Sequence, residues 1–440
     1  MSVCQRCPGR VFQSAAALIQ HQLAKHPLEL PTPSAGPQTG TLPLQLTSAT
    51  QTARLRDAQR IWNGLRKQEP VHVIDGAVLQ PSTAPVSATT PFDLVCSYNW
   101  LASGGFHVPG HAPLWQDLAL PVTVPKDPKK TSLNPRRRRR RPSWTTTTYP
   151  FEQVLSATAQ MRPNFTFGAV DVVVTRNSLR KLLDFCSGKA AQPSFRIGLS
   201  LVRDTTLFIE QYDARAMPFQ DSGWGHGFER TFTRFPAGLE GSTSHDRFLR
   251  YKLGEMDCVV GFEVDACYYE PKRDEGDNNN NAVDALDMQG QAIDHPPSGY
   301  HPTRNKPTTG IVSPMQQSTA AELKSKSKRP GGGIGSFLPQ LWFGRTPWLI
   351  VGRHAEGTFT ETTVVEASAQ FVRWETDHQD GLRKLVAVLG ELRDAVRRNG
   401  GRGCAAVCEK GVGGRRRIGV YDLLREGVGV PEEVIRRFWE

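Results

Sequence analysis

The 440-residue chain lacks any apolar run near the ~20 residues that a membrane-spanning helix needs. Its first 25 residues lack the unbroken apolar core of a secretory signal. A soluble, intracellular protein is therefore expected. No two aspartates are adjacent anywhere in the sequence. This excludes isoprenyl diphosphate synthases, which hold their metal ions with aspartate-rich helices. Hydrophobic residues are also sparse, at 38%, against 40 glycines and 32 prolines. Such a composition supports one large folded domain carrying insertions, plus a small N-terminal module, rather than two full domains. Cysteines number only eight. Cys96, Cys186, Cys258 and Cys267 sit in apolar segments and read as small core residues. Cys404 and Cys408 have no matching ligand set after them and read as incidental.

What is present begins with CQRCPGRVFQSAAALIQHQLAKH. Two residues separate Cys4 from Cys7, thirteen separate Cys7 from His21, and four separate His21 from His26. Two thiolates on a turn followed by two imidazoles on a helix form a C2H2 zinc site, and Phe12 and Leu18 fall where its small core belongs. One finger reaches only about three base pairs, so an accessory or docking role is expected of it. The net charge is +11, but six of those charges form the single run Arg136–Arg141. A run of this density reads as a nuclear import signal or phosphate-binding arm on a solvated linker.

The sequence predicts a finger at 1–27 and a linker with one helix (Arg54–Lys67) at 28–90. An extended wrapping segment and the Arg-rich linker follow at 91–148. From 149 to 440 helices and strands alternate, interrupted by an insertion at about 270–317 that has no period and many breakers. Helices are expected over Phe151–Met161, Ser178–Phe185, Trp224–Phe235, Phe337–Phe343, Leu382–Arg398, Val420–Arg425 and Pro431–Phe438. Strands are expected at Ala169–Thr175, Phe195–Arg203, Thr206–Gln211, Arg247–Leu253, Asp257–Cys267 and over PWLIVGRH and FTETTVV. The implied fold class is α+β, a central mixed sheet flanked by helices, with the small finger added.

Three short motifs carry chemistry. Gly225-His226-Gly227-Phe228-Glu229 starts a helix and presents one carboxylate. In Phe262-Glu263-Val264-Asp265 the strand period of two puts Glu263 and Asp265 on one face. In Glu322-Leu323-Lys324 it puts a carboxylate beside an ammonium, although AAELKSKS holds few strand formers. Two like charges ~4 Å apart repel by about 4 kcal/mol at an effective dielectric of 20. Four converging carboxylates therefore call for a proton or a cation, and oxygen-only ligation suits Mg2+ or Mn2+.

Helix Glu, strand Glu-x-Asp, strand Glu-x-Lys and a further helix is the order of the PD-(D/E)XK nucleases. Over about residues 168–398 the chain resembles the DXO family of RNA 5′-end decapping enzymes. The likeness rests on Arg176 in TRNSLRKLL, on Glu229 in GHGFE (with His226 where the family has an aromatic), on FEVDA, on ELK and on Gln340 in PQLWFGRTPWLIVGRHAEG. The resemblance implies a PD-(D/E)XK-like fold in which Glu229, Glu263, Asp265 and Glu322 hold Mg2+ or Mn2+, helped by the Leu323 carbonyl. It implies that Lys324 and Gln340 position the attacking water and that Arg176 holds a substrate phosphate. The implied activity is hydrolysis of RNA 5′ ends bearing incomplete, unmethylated or NAD-type caps, extended in some members to 5′→3′ degradation. A nuclear 5′→3′ exoribonuclease is the implied protein partner, and no membrane is. Three other readings stay open: a non-catalytic RNA-binding or exonuclease-stimulating protein of the same fold, a DNA-cleaving PD-(D/E)XK nuclease, and a zinc-finger DNA-binding regulator.

Overall fold

The computed structural model describes residues 61–66, 69–127, 149–189, 192–212, 223–270, 307–309, 315–327, 333–409, 416–425 and 427–440, with residues 2–3, 7 and 11–12. Two compact units divide at residue 52. In the first, strand Ser2–Val3 pairs antiparallel with Val11–Phe12. Cys4, His21 and His26 lie outside the described residues, so the zinc-finger expectation does too. So do the run Arg136–Arg141 and most of the expected insertion, although Pro307–Thr309 within it is a strand.

The second unit is built on two sheets. Its principal strands are β1 (Phe92–Leu101), β2 (Val172–Thr175), β3 (Phe195–Val202), β4 (Thr206–Gln211), β5 (Ser242–Leu253), β6 (Met256–Glu263), β7 (Ala320–Ser327), β8 (Trp348–Ala355), β9 (Thr358–Glu366), β10 (Cys404–Cys408) and β11 (Arg417–Asp422). The helices are α1 (Glu152–Met161), α2 (Arg176–Cys186), α3 (Gly225–Phe232), α4 (Leu338–Phe343), α5 (Phe371–Asp377), α6 (Gln379–Arg398) and α7 (Glu432–Trp439). The larger sheet runs Pro307–Thr309, Phe106–Val108, β1, β5, β6, β2, β4, β3, β10, β11, His72–Asp75. Its centre is parallel, with β2 between β6 and β4, and most of the other pairings are antiparallel.

A strand buried on both faces needs an unbroken apolar run, and Val172-Val173-Val174 supplies one. Val172 and Val174 join the core under α2 and α6, while Val173 joins the core under α1 and α7. Leu179, Leu182, Leu183 and Cys186 of α2 recur at helical spacing on the first core, as do Leu382, Leu385, Leu389, Leu392 and Val396 of α6. Val154 and Leu155 of α1 and Val434 and Phe438 of α7 close the second. Thr175 ends β2 and caps α2, its hydroxyl accepting from the Ser178 amide at 3.4 Å.

The smaller sheet runs Thr233–Arg234, Leu114–Trp115, Ala266–Cys267, β7, β8, β9, Val122–Thr123, with β7 parallel to β8. Ala320, Leu349 and Val351 reach the core shared with the larger sheet, while Ala321, Leu323 and Ile350 face α3. The α3 helix lies close because β8 has Gly352, where a Cβ would sit 2.5 Å from the Phe228 ring. Cys267 pairs with Ala320 and Ala266 with Ala321, so the strand after Asp265 lies beside the strand of Glu322.

Several expectations are corrected. Phe92–Leu101, read as a wrapping segment, is a ten-residue strand inside the larger sheet. Val420–Arg425, read as a helix, belongs to strand β11 and its end, because Ile418 and Val420 alternate into the core. Cys404 and Cys408 are buried strand residues. AAELKSKS is a strand despite its composition, because parallel pairing with β8 and burial of Ala320, Ala321 and Leu323 outweigh propensity. Of the expected helix Arg54–Lys67 only residues 61–66 are described, and there Ile61 and Leu65 pack on Ala405 and Val407.

Candidate active site

The motif residues meet where the C-terminal ends of β2 and β6 face β7 of the other sheet. Arg176 is the first residue of α2, directly after β2. Its Nη1 donates to Glu322 Oε2 at 3.2 Å and its Nη2 to the Glu263 carbonyl at 3.3 Å, with the guanidinium 5.4 Å from the Phe262 ring centre. Glu322 is 2% exposed and is the hub of the site. Its Oε1 accepts from Lys324 Nζ and from Gln340 Nε2, the latter delivered by α4. One turn after Arg176, Arg180 Nη1 donates to the Gln340 side-chain oxygen at 3.2 Å.

Asp265 accepts from the Leu323 amide at 2.9 Å, which fixes it beside Glu322. Glu229 stands on α3, 3.3 Å from His226 Nδ1 and about a third exposed, with side-chain exposure of 37%. Asp127 anchors this helix, accepting from the amides of Gly227 at 2.8 Å and His226 at 3.0 Å. Gly227 has its own reason: a Cβ there would lie 2.5 Å from Val124 Cγ1 and 2.8 Å from the Pro125 carbonyl. Glu263 is exposed at the end of β6, cross-strand from buried Asp246 of β5.

Electrostatics link these groups. Burial, then the charge of Glu322 and the fields of Glu229 and Glu263, push the Asp265 carboxyl well up, against the opposing pull of Lys324. Burial would also raise Glu322, but the charges of Arg176 and Lys324 and hydrogen bonds from Lys324 and Asp265 outweigh it and hold Glu322 down. Burial works against a charged Lys324, yet Glu322 and Asp265 raise its ammonium overall. Burial and then Glu263 push Asp246 up to about 8. The negative potential of the site therefore bears on Asp265, whose carboxyl is pushed toward its neutral form.

The structure thus brings together Arg176, Glu322, Lys324, Gln340 and Asp265 by direct contact or immediate neighbourhood, and Glu229 and Glu263 by electrostatic reach. Arg176 has two protein partners here in addition to the phosphate-binding role expected of it. The donor chemistry, four carboxylates and no sulfur, fits a hard divalent cation. As placed, though, no three His, Cys, Asp or Glu side chains among the described residues are gathered as a metal cage. Glu322 spends both oxygens on Arg176, Lys324 and Gln340, so holding a cation requires it or its neighbours to turn. Sequence reading missed Asp127, Arg180 and Asp246. The only signal for Arg180 was its place one turn after Arg176 in TRNSLRKLL, and Asp127 and Asp246 stand in no motif.

The family model described as Domain of unknown function (DUF8563) matches residues 68–439. The chain belongs to that family. No curated protein matches it. Among solved structures, Scheffersomyces stipitis Rai1 in complex with 3′-NADP+ and calcium ion is similar to this DUF8563 chain at a TM-score of 0.54 and 12% identity, over 82% of this chain and 97% of that one. Candida albicans Rai1 in complex with pU5 and Mn2+ is similar at 0.51 and 12%, over 80% and 97%. At such identity the likeness is one of fold. The mixed α+β architecture expected from the motifs is the one these Rai1 structures have.

Proposed function

We propose that this DUF8563 protein is a divalent-metal-dependent phosphodiesterase acting on RNA 5′ ends, removing incomplete, unmethylated or NAD-type caps. The observation that carries the proposal is the hub at Glu322, where Arg176, Lys324, Gln340 and Asp265 converge from four separate segments of the chain. The ligands of the similar Rai1 structures, 3′-NADP+ with calcium and pU5 with Mn2+, support the same class of substrate. Glu229, Glu263, Asp265 and Glu322 would hold Mg2+ or Mn2+. Such an ion, when bound, polarises a phosphoryl oxygen and acidifies water.

The chain's own residues do the rest. Asp265, pushed toward its neutral form by burial and by Glu322, would serve as a ligand in its ionised form. Lys324 and Gln340, already aimed at Glu322, orient a water through the ammonium and the amide. Arg176 and Arg180 present two guanidiniums along one helix face to a phosphate. We further propose that the RNA strand continues 5′→3′ through the same site, and that Arg136–Arg141 directs nuclear import to where a 5′→3′ exoribonuclease would be its partner.

The reading is tested with short RNAs bearing a triphosphate, an unmethylated guanosine cap, a methylated cap or an NAD cap, each with Mg2+ or Mn2+. Cleavage by the wild type and not by Asp265→Asn supports it and names the preferred end. The occupied oxygens of Glu322 favour one second reading, a non-catalytic RNA-binding partner of the same fold. Binding of all four RNAs without turnover would favour that reading instead.

A further inference from the structure

The two faces of β3 and β4 differ. Ile197, Leu199, Leu207 and Ile209 point into the core beneath α2 and α6. The alternation of a strand puts Arg196, Gly198 and Ser200 of β3, and Phe208 and Glu210 of β4, on the other face. There a cavity of about 600 Å3 opens, lined by Arg196, Gly198, Ser200 and Glu210, by Phe151, Tyr212 and Arg402, and by the glycine-bearing loops at 400–403 and 427–429.

Several of its polar atoms find no partner among the described residues, although Arg196 Nη1 donates to the Ile61 and Asn63 carbonyls. The Glu210 carboxyl finds no hydrogen-bond or ion-pair partner among the described residues, and burial alone pushes it up to about 7. Ser200 Oγ is buried without a partner, and so is Arg196 Nε. Arg196 is itself 7% exposed, and its guanidinium lies 4.0 Å from the Tyr212 ring centre. Buried polar groups left without partners are uncommon and need a reason.

We propose that this face of β3 and β4 is a second binding pocket, taking the Watson–Crick edge of a guanine base. A lone carboxylate is complementary to two adjacent N–H donors on one planar group, the arrangement guanine presents at N1 and its 2-amino group. Gly198, cross-strand from Glu210, leaves the sheet floor bare beside the carboxyl: a Cβ there would lie 3.6 Å from Glu210 Cβ and 3.9 Å from Oε2. A flat ring can lie on such a floor. Rotation of the Arg196 and Ser200 side chains would bring Nε and Oγ, buried as they stand, to its carbonyl and ring nitrogen. A guanidinium also presents paired donors, but the fixed positive charges of Arg196 and Arg402 disfavour a cation. Cavity and carboxylate hub are separate, though adjoining: Thr175 and Gln211 line the cavity, Arg176 follows Thr175, and Gln211 accepts from Asn177 at 2.9 Å.

The test is equilibrium binding to the full chain in a chelator, so that no hydrolysis enters and the result is independent of the proposed activity. Titration calorimetry would compare guanosine, inosine, adenosine and the dinucleotide GpU. Guanosine should bind, inosine, which lacks the 2-amino donor, more weakly, and adenosine not at all. Glu210→Gln places an amide against the ring donors and should weaken guanosine by about tenfold or more. Gly198→Leu should abolish binding by filling the floor. Should Gly198→Leu fail to fold, Glu210→Gln alone decides. Equal affinity for guanosine and GpU assigns the pocket to a free nucleoside, and tighter GpU assigns it to an RNA strand. No guanosine binding at millimolar concentration, adenosine bound as well as guanosine, or Glu210→Gln binding like the wild type would each overturn the proposal.

Discussion

Arg176 and Glu322 are 146 residues apart in sequence and 3.2 Å apart in space, and their ion pair ties the larger sheet to the smaller. Both side chains are almost wholly buried. Removing one member of such a pair leaves an uncompensated charge, whereas replacing both with apolar residues is often tolerated. Glu322→Leu should therefore destabilise the fold by about 3 kcal/mol, with part of it recovered in the Arg176→Met, Glu322→Leu double variant and the rest remaining because Lys324 also loses its partner. Urea denaturation of the wild type, Arg176→Met, Glu322→Leu and the double variant checks this. Additive losses would remove the coupling from the account.

Asp265 behaves differently, since burial and the charge of Glu322 push its carboxyl toward the neutral form. Asp265→Asn keeps an acceptor for the Leu323 amide and should leave the midpoint of unfolding nearly unchanged. Turnover on capped RNA should fall by about 100-fold or more, through loss of a carboxylate that must ionise. A fully active Asp265→Asn protein would falsify the metal-site assignment.

Asp127 holds the first turn of α3 in place. Asp127→Ala should lower stability by about 1 kcal/mol, the usual worth of a helix cap. Because Glu229 follows directly on that turn, activity should drop with it, and Asp127→Asn should restore part of both. Activity unchanged in Asp127→Ala, with stability lowered, would confine Asp127 to folding.

Glu210 gives a pH signature. Its carboxyl is pushed up by burial to about 7, above the ordinary value of 4.5, so the folded chain holds that proton more tightly than the unfolded one. The stability linked to it is complete below about 4.5 and is lost as pH rises through about 7. Arg196, Tyr212 and Arg402 line the same cavity, and their charges are the same in wild type and variant. Between pH 5 and pH 8 the wild type should lose more of its Tm than Glu210→Gln does. Parallel Tm curves would mean that the carboxyl is solvated.

The N-terminal unit carries a separate expectation. Purified protein should contain one zinc per chain, released by Cys7→Ala and measured by metal analysis. Zinc-free protein would end the finger reading.

The sequence motifs made most of the hub legible, because each pairs a carboxylate with a local period: Glu263 and Asp265 on one strand face, Glu322 and Lys324 on another. Arg176 was marked by the family resemblance of TRNSLRKLL, and it stands at the strand-to-helix junction that Thr175 caps. The rest was hidden by distance. Asp127 meets α3 across a hundred residues, and Asp246 is an isolated acid whose importance comes only from the antiparallel register that sets it against Glu263. Phe92–Leu101 escaped because proline, glycine and aromatic residues crowd its flanks. The strand of Cys404–Cys408 holds Ala405 and Ala406, which carry little strand propensity until neighbours bury them.

The pairing of Cys267 with Ala320 has a consequence for how this family can vary. It clamps together the two points where the chain leaves the smaller sheet after Asp265 and returns to it before Glu322. Closing a loop between fixed ends costs only about 0.6 kcal/mol more for each doubling of its length. The stretch between the clamped points can therefore lengthen, shorten or change composition over generations while the two carboxylates keep their spacing. That tolerance would let relatives diverge almost beyond recognition in sequence around an unmoved reaction centre.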